Sequence, residues 1–292
     1  MARSLVEVEE VTGKAAYRRF VELAYLQLRD EPRWSAPLAA FEKARLDPHR
    51  NPFFEQGDAA YFLLRRLGAP AGRMTAQIAQ DDDREGWFGF YDVVNDPAGT
   101  AALVDAAASW LRERGCTSLA GPASFAPTDD AGLLVAGFDV PGTTGRSWNP
   151  SWYADHLEAA GLERIAGSEQ PTWRLSAGGA PGGDIEASAD VERPAIIGPY
   201  ADPRLLLAGP AGEIAAVPDV TGAGSPWAMA KRAKKGGWDG CTVVRCDGDA
   251  AVLVPAVQAA AGLAGYQWVV APWSPDPAVP PETVHARFLM GL

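Results

Sequence analysis

The chain is poor in the residues that most often announce a function. It has 3 cysteines, 3 histidines and 4 methionines in 292 residues. Cys116, Cys241 and Cys246 form an odd set without metal-ligand spacing, which reads as reduced thiols in a cytoplasm. His49, His156 and His285 lie far apart, which argues against a zinc cluster or a Ser-His-Asp triad. Positive charge is short as well. The formal net charge is −11, which disfavours nucleic acid or an anionic membrane as the main partner. No apolar run approaches the roughly 18 residues that span a bilayer. The opening MARSLVEVEEV is too acidic to read as a signal peptide.

The hydrophobic content of 47% and charged content of 22% are those of a globular protein large enough for one big or two medium domains. A stretch of about thirty residues, from Gly121 to Tyr153, has almost no periodicity, yet it carries Phe125, Trp148, Trp152, Arg146 and the acidic pair Asp129–Asp130. It reads as the wall of a pocket. Before it, Leu5 to Val11 alternates as a short strand, and Thr12 stands where it can cap a helix from Gly13 to about Leu28. A second helical piece follows near Leu38 to Leu46. Asp58–Leu67 and Gly72–Gln80 read as a hairpin, and Trp87–Val94 as an aromatic strand. Asp96-Pro97 opens a helix closed by Gly115, Thr117–Ala120 is a strand, and Asn149-Pro150 opens another helix. Residues 177–190 are Gly-, Ala- and Pro-rich and read as a linker. Beyond them a hairpin, a basic helix and a strand-helix-strand repeat the core of the first half, with no closing strands evident after Pro280.

The segments DEPRWSAPL, LDPHRNPFFEQGDAAYFL, GWFGFYDVVNDP, GPASFAPTDDAGLLVAGFD and NPSWYADHLEAAGLERI together resemble a bacterial family with the GNAT (acyl-CoA N-acyltransferase) fold. The resemblance spans roughly residues 15–175. It implies an α/β fold: a GNAT-like mixed sheet flanked by helices over 1–176, with the pocket loop 121–153, the linker 177–190, and a pruned, degenerate second GNAT-like unit over 191–292. A GNAT acyltransferase needs backbone N–H groups at a helix N-terminus for the coenzyme A pyrophosphate, usually within [QR]-x-x-G-x-[GA]. The first half reads VVNDPAGTAA there and lacks the pattern. In the second half Arg245-Cys246-Asp247-Gly248-Asp249-Ala250 fits the letters, but Asp247 and Asp249 would repel phosphates. The expectation is therefore a GNAT fold without acyl-CoA, and no cofactor or metal.

For the remaining chemistry, Asp82 within Asp81-Asp82-Asp83 is the first candidate general base, since neighbouring carboxylates and an apolar wall raise a carboxyl pKa. Asp129 and Asp130 are the rival pair; all three acids equally suit solvated or capped turns. Trp34, Tyr91, Phe125, Trp148 and Trp152 are candidate substrate-binding aromatics, with ordinary core packing as the alternative for Tyr91 and Phe125. Arg146 is a candidate for an anionic substrate group, or a plain surface arginine. The basic cluster Lys231, Arg232, Lys234 and Lys235 suits an acidic carrier protein or a solvated helix face.

A second resemblance, to aziridine-forming synthases of azinomycin-type natural-product pathways, implies ring closure by amine displacement. The substrate implied is a small amino-acid derivative, free or carrier-protein-bound, and the implied assembly includes a smaller partner subunit. The alternatives are an acyl-CoA-dependent N-acyltransferase and a non-catalytic interaction subunit.

Overall fold

The computed structural model describes residues 6–37, 39–79, 85–125, 131–179, 184–191, 202–219 and 238–292. Strand β1 (Val6–Glu10) leads into helix α1 (Gly13–Leu28) and the short α2 (Ala39–Leu46). Thr12 does occupy the N-cap of α1, but its side chain makes no capping bond. An antiparallel meander follows, of β2 (Asp58–Arg66), β3 (Ala69–Ile78) and β4 (Glu85–Val93). Helix α3 (Pro97–Arg112) then crosses over to β5 (Ser118–Gly121), which pairs with β4 in parallel. The long segment after β5 is not structureless throughout: Leu133–Ala136 form β6, and helix α4 (Trp152–Ala159) comes later than Asn149-Pro150. The chain continues through β7 (Glu163–Arg164), β8 (Gln170–Ser176) and β9 (Glu186–Ala187) to the hairpin β10 (Leu206–Gly209) and β11 (Gly212–Pro218). Strand β12 (Gly240–Gly248), helix α5 (Ala250–Leu263) and β13 (Trp268–Ala271) repeat the parallel crossover. Two strands do follow Pro280, β14 (Thr283–Ala286) and β15 (Phe288–Gly291). Their short, mixed sequence hides them from period counting.

The two mixed sheets are ordered β1-β2-β3-β4-β5-β15-β7 and β6-β14-β8-β13-β12-β11-β10-β9. The halves exchange strands: β8, which closes the first half in sequence, lies beside β13, and β15, which closes the second, lies beside β5. Sheet membership therefore does not follow the sequence boundary at 177–190. Phe288 of β15 is fully buried in the first core, with Phe88 and Leu119 and with Leu103 and Leu111 of α3. At about 25 cal/mol per Å2 of apolar burial, a phenylalanine side chain so placed ties the C-terminal strand to the first half by roughly 2–3 kcal/mol.

Both halves carry the same irregularity. The β3–β4 register shifts after Arg73, and the β11–β12 register shifts at Ala215/Ala216. In each half the parallel pair spans only three residue pairs, Glu85–Trp87 with Ser118–Ala120 and Gly240–Thr242 with Trp268–Val270. On one face α3 packs its Leu103, Val104, Ala107 and Leu111; on the other, Phe20, Val21 and Leu23 of α1 pack on Tyr61, Leu63 and Phe90. Helix α5 covers one face of the second sheet with Leu253, Val254 and Val257.

Candidate functional site

A cleft opens on the α1–α2 face of the first sheet, over β3 and β4. Its empty volume is about 670 Å3, partly open to solvent. Its floor is Arg73 of β3 with Phe90, Tyr91 and Asp92 of β4, and one wall is Tyr25, Trp34, Glu42 and Arg45. Pro122, Ser124, Leu133 and Ser147–Asn149 of the long segment form the other wall.

Phe90 lies at the bulge with φ 47° and packs against Phe125, itself at φ 72°, with ring centroids 5.1 Å apart. Two bulky residues in the left-handed region are strained, and such strain concentrates at functional sites. The guanidiniums of Arg45 and Arg73 lie 4.7 and 5.8 Å from the Phe90 ring centre. Arg73 is buried, and each of its nitrogens donates: Nε to Asp92 at 2.7 Å, Nη1 to the Phe20 carbonyl at 3.1 Å, and Nη2 to Glu42 at 3.4 Å. Glu42 also faces Arg45 at 3.0 Å. Burial opposes the Arg73 charge, but Asp92 and Glu42 outweigh it and hold its pKa above the usual arginine range. Tyr25 donates to the Pro37 carbonyl at 2.9 Å, and burial, then Glu42, push its phenol well up, so it stays neutral. The cleft thus presents two cations and two anions locked together between aromatic walls.

Of the expected substrate-binding residues, Trp34, Tyr91 and Trp148 line this cleft. Trp34 stacks edge-on against Tyr25 at 5.6 Å. Trp148 donates its indole N–H to the Phe138 carbonyl at 2.8 Å and lies under Arg33 at 5.1 Å. Tyr91 turns its hydroxyl into the α3 core, within 2.8 Å of the Thr100 hydroxyl, which is 3.5 Å from His156 Nδ1. Phe125 packs among Phe53, Phe54 and Phe90 rather than on the cleft wall. Trp152 packs beside Tyr153 at the edge of the first core. Arg146 closes a tight turn with Thr143, with backbone bonds of 2.9 Å in both directions, and lines a neighbouring cleft. Asp82, Asp129 and Asp130 lie outside the described residues, as does the basic cluster 231–235. Sequence reasoning missed Glu42, Arg45, Arg73 and Asp92. The available signal was Arg73 and Asp92 as lone charges inside apolar strands of one meander.

Coenzyme A does not fit the helix N-termini where this fold would seat its pyrophosphate. At α3, Pro97 has no N–H, the Asp96 carboxylate takes the Gly99 N–H at 3.2 Å, and the Asp96 carbonyl takes that of Thr100 at 3.0 Å. At α5, the Asp249 carboxylate takes the Ala251 N–H at 3.0 Å, and its carbonyl takes those of Val252 and Leu253 at 3.0 and 2.9 Å. A phosphate would meet a carboxylate among the first N–H groups at both ends. Arg245 is paired with Glu213 and Asp247 at 3.4 and 3.3 Å. Gly248 is explained by packing: a Cβ there would run into the Ala211 carbonyl oxygen of the β10–β11 turn.

No protein-family model matches the chain. Two curated relatives align over about half of it: the bacterial ceramide synthase of Caulobacter vibrioides, 33% identical over 165 residues, and protein YghO of Escherichia coli, 32% identical over 162 residues. Each match covers 54% of this chain and 43% and 41% of the relative, so the chain spans under half the length of the curated relatives it matches. Among solved structures, a tandem GNAT protein from the clavulanic acid biosynthesis pathway superposes with TM-score 0.57 at 11% identity, over 98% of both chains. A protein of Pyrococcus horikoshii assigned as an acetyltransferase superposes with TM-score 0.51 at 9% identity, over 100% of this chain and 91% of that one. At such identities the likeness concerns the fold alone.

Proposed function

We propose, from the tandem GNAT-like fold of this chain, that it has turned an acyltransferase-like architecture to chemistry without acyl-CoA. The reaction is general-base-assisted amine displacement within one small amino-acid-derived substrate, closing an aziridine-type ring. The observation that carries this reading is the pair of helix N-termini stopped by Asp96 and Asp249. In the step, the amine lone pair attacks a neighbouring carbon bearing a sulfate or phosphate ester. The C–N bond forms as the C–O bond breaks, the leaving oxyanion takes the electron pair, and the amine proton passes to a carboxylate. Asp82 is the proposed base, with Asp129 and Asp130 as its rivals.

The cleft supports the reading through its shape and walls. Trp34, Tyr91 and Trp148 line the cleft. Aromatic walls favour the neutral amine over its ammonium form, and folding the substrate supplies proximity. The buried Arg73–Asp92–Glu42–Arg45 network fixes β3, β4 and α2 around it. A carrier-protein-bound substrate, a smaller partner subunit and a cytoplasmic location belong to the same proposal.

A second reading, an acyl-CoA-dependent N-acyltransferase, is favoured by the 33% identity to a bacterial ceramide synthase. It requires coenzyme A to bind elsewhere than at α3 or α5. Calorimetry of the purified chain with acetyl-CoA and coenzyme A separates the two. The first reading expects no saturable heat at millimolar ligand; saturable micromolar binding replaces it with the second.

A further inference from the structure

A second cleft, beside the first, lies under the loop 139–148 against β8, β13 and β14. Its empty volume is about 680 Å3, open on one side, and a smaller recess of about 300 Å3 shares Val140–Thr143, Arg174 and Glu282 with it. Ser147 and Trp148 line both this recess and the first cleft.

The residue that stands out is Arg174 of β8. Its guanidinium lies 4.3 Å from the Trp268 ring centre, and Trp268 in turn sits over Gly240, where any Cβ would collide with the indole. The stacking fixes the guanidinium plane in the cleft. Among the described residues its one ion-pair contact is Glu282, which approaches Nε at 3.5 Å, and nothing accepts a hydrogen bond from it. Beside it the hydroxyls of Thr172 and Thr283 are 2.6 Å apart. Either hydroxyl can donate to the other. Asp219 also lines the cleft, its Oδ1 accepting from both the N–H and the hydroxyl of Thr144 at 3.0 and 3.1 Å.

We infer that this second cleft is a binding site for a small carboxylate, held by the stacked Arg174 guanidinium with the Thr172–Thr283 pair beside it. An oriented fork of N–H donors matches the two oxygens of a carboxylate. A phosphate dianion is the poorer occupant, because Asp139, Asp219 and Glu282 surround the cleft and repel its second charge. The site stands on its own geometry. Its place in catalysis, as the seat of the carboxyl end of an amino-acid-derived substrate, rests on the ring-closure reading.

The test is ligand-observed NMR on the full chain with butyrate, inorganic phosphate and n-butylamine, each alone. Butyrate should bind with millimolar affinity, and phosphate and butylamine should not. Arg174→Gln should abolish butyrate binding. Arg174→Lys, which keeps the charge and loses the fork, should weaken it about tenfold. Trp268→Phe, which keeps an aromatic support, checks that loss of binding is not loss of fold: it should retain binding within about threefold. No butyrate binding, tighter phosphate binding, or butyrate binding indifferent to Arg174→Gln would each overturn the assignment. Coenzyme A binding and ring closure have separate readouts, so either can fail while this site stands.

Discussion

Replacing Asp92 by Leu tests whether the cleft is built on a desolvated ion network. Arg73 is 4% exposed, and its contact with Asp92, at 2.7 Å, is shorter than that with Glu42, at 3.4 Å. Without Asp92 the guanidinium keeps only the longer contact with Glu42 and the Phe20 carbonyl. Breaking a buried pair from one side costs about 3–5 kcal/mol, because the surviving charge stays out of water. For a chain of this size each kcal/mol lowers Tm by about 2–4 °C, so Asp92→Leu should fall by roughly 6–20 °C. Arg73→Met should cost about the same. The double variant leaves Glu42 with Arg45, still 3.0 Å away, and should cost less than the two singles together by about 1–3 kcal/mol. Urea unfolding followed by circular dichroism supplies the numbers, with coincident transitions at two wavelengths as the check on two-state behaviour. If Asp92→Leu costs less than about 1 kcal/mol, the range of surface pairs, the network is solvated and the argument for a preorganised cleft fails.

Further outcomes are expected from other parts of the molecule. Phe288→Ala should cost about 3–5 kcal/mol and loosen the first half as well as the second, read by hydrogen exchange in β5 and α3, because the ring fills the first core across the strand exchange. Gly248→Ala should destabilise the β10–β11 end of the second sheet through its clash with the Ala211 carbonyl, measurable as a lowered Tm. Burial, against weaker opposition from Asp155 and Asp96, holds the His156 pKa below its ordinary value. Below about pH 6.5 the unfolded chain therefore binds the proton more readily, and stability should fall as pH drops through that window. His156→Gln should flatten this part of the curve. Burial, then Asp202 and Asp219, push the Cys241 thiol up to about 12, so iodoacetamide should leave it unmodified in the native chain and label it after unfolding.

Local signals carried much of the fold. Asp96-Pro97 followed by Leu103, Val104, Ala107 and Leu111 specifies α3 by cap and period, and the Asp96 side chain does cap it. The β2–β3 hairpin and the β12–α5–β13 repeat were legible for the same reason. The strand exchange was not, because nothing local in FLMG or QPTWRLS says which sheet edge each strand will meet; that depends on which edge the other half leaves open. Trp148 was readable as a cleft residue because it lies beside a proline in an aperiodic segment, but the same signal in Trp152 marks a ring packed against the first core. Arg73 and Asp92 escaped because each, taken alone, is out of place inside APAGRMTAQI and EGWFGFYDV. Only the hairpin register, which sets Arg73 opposite Asp92, turns two misfits into one pair.

The two capping aspartates bear on the proposal that the fold works without acyl-CoA. A helix N-terminus collects about half a unit of positive charge and unsatisfied N–H groups, which makes it an anion site by default. In this chain both halves fill that site from within, Asp96 on α3 and Asp249 on α5. A carboxylate there stabilises the isolated helix by about 1 kcal/mol, and it imposes like-charge repulsion on any phosphate that approaches. Restoring an anion site should therefore need the carboxylate removed with its small size and capping bond kept. Asp96→Ser and Asp249→Ser keep a side-chain acceptor for the first turn and drop the charge. If the parent chain gives no saturable heat with coenzyme A and either variant does, the aspartates are what excludes the cofactor. If neither variant gains binding, the caps record only helix stability.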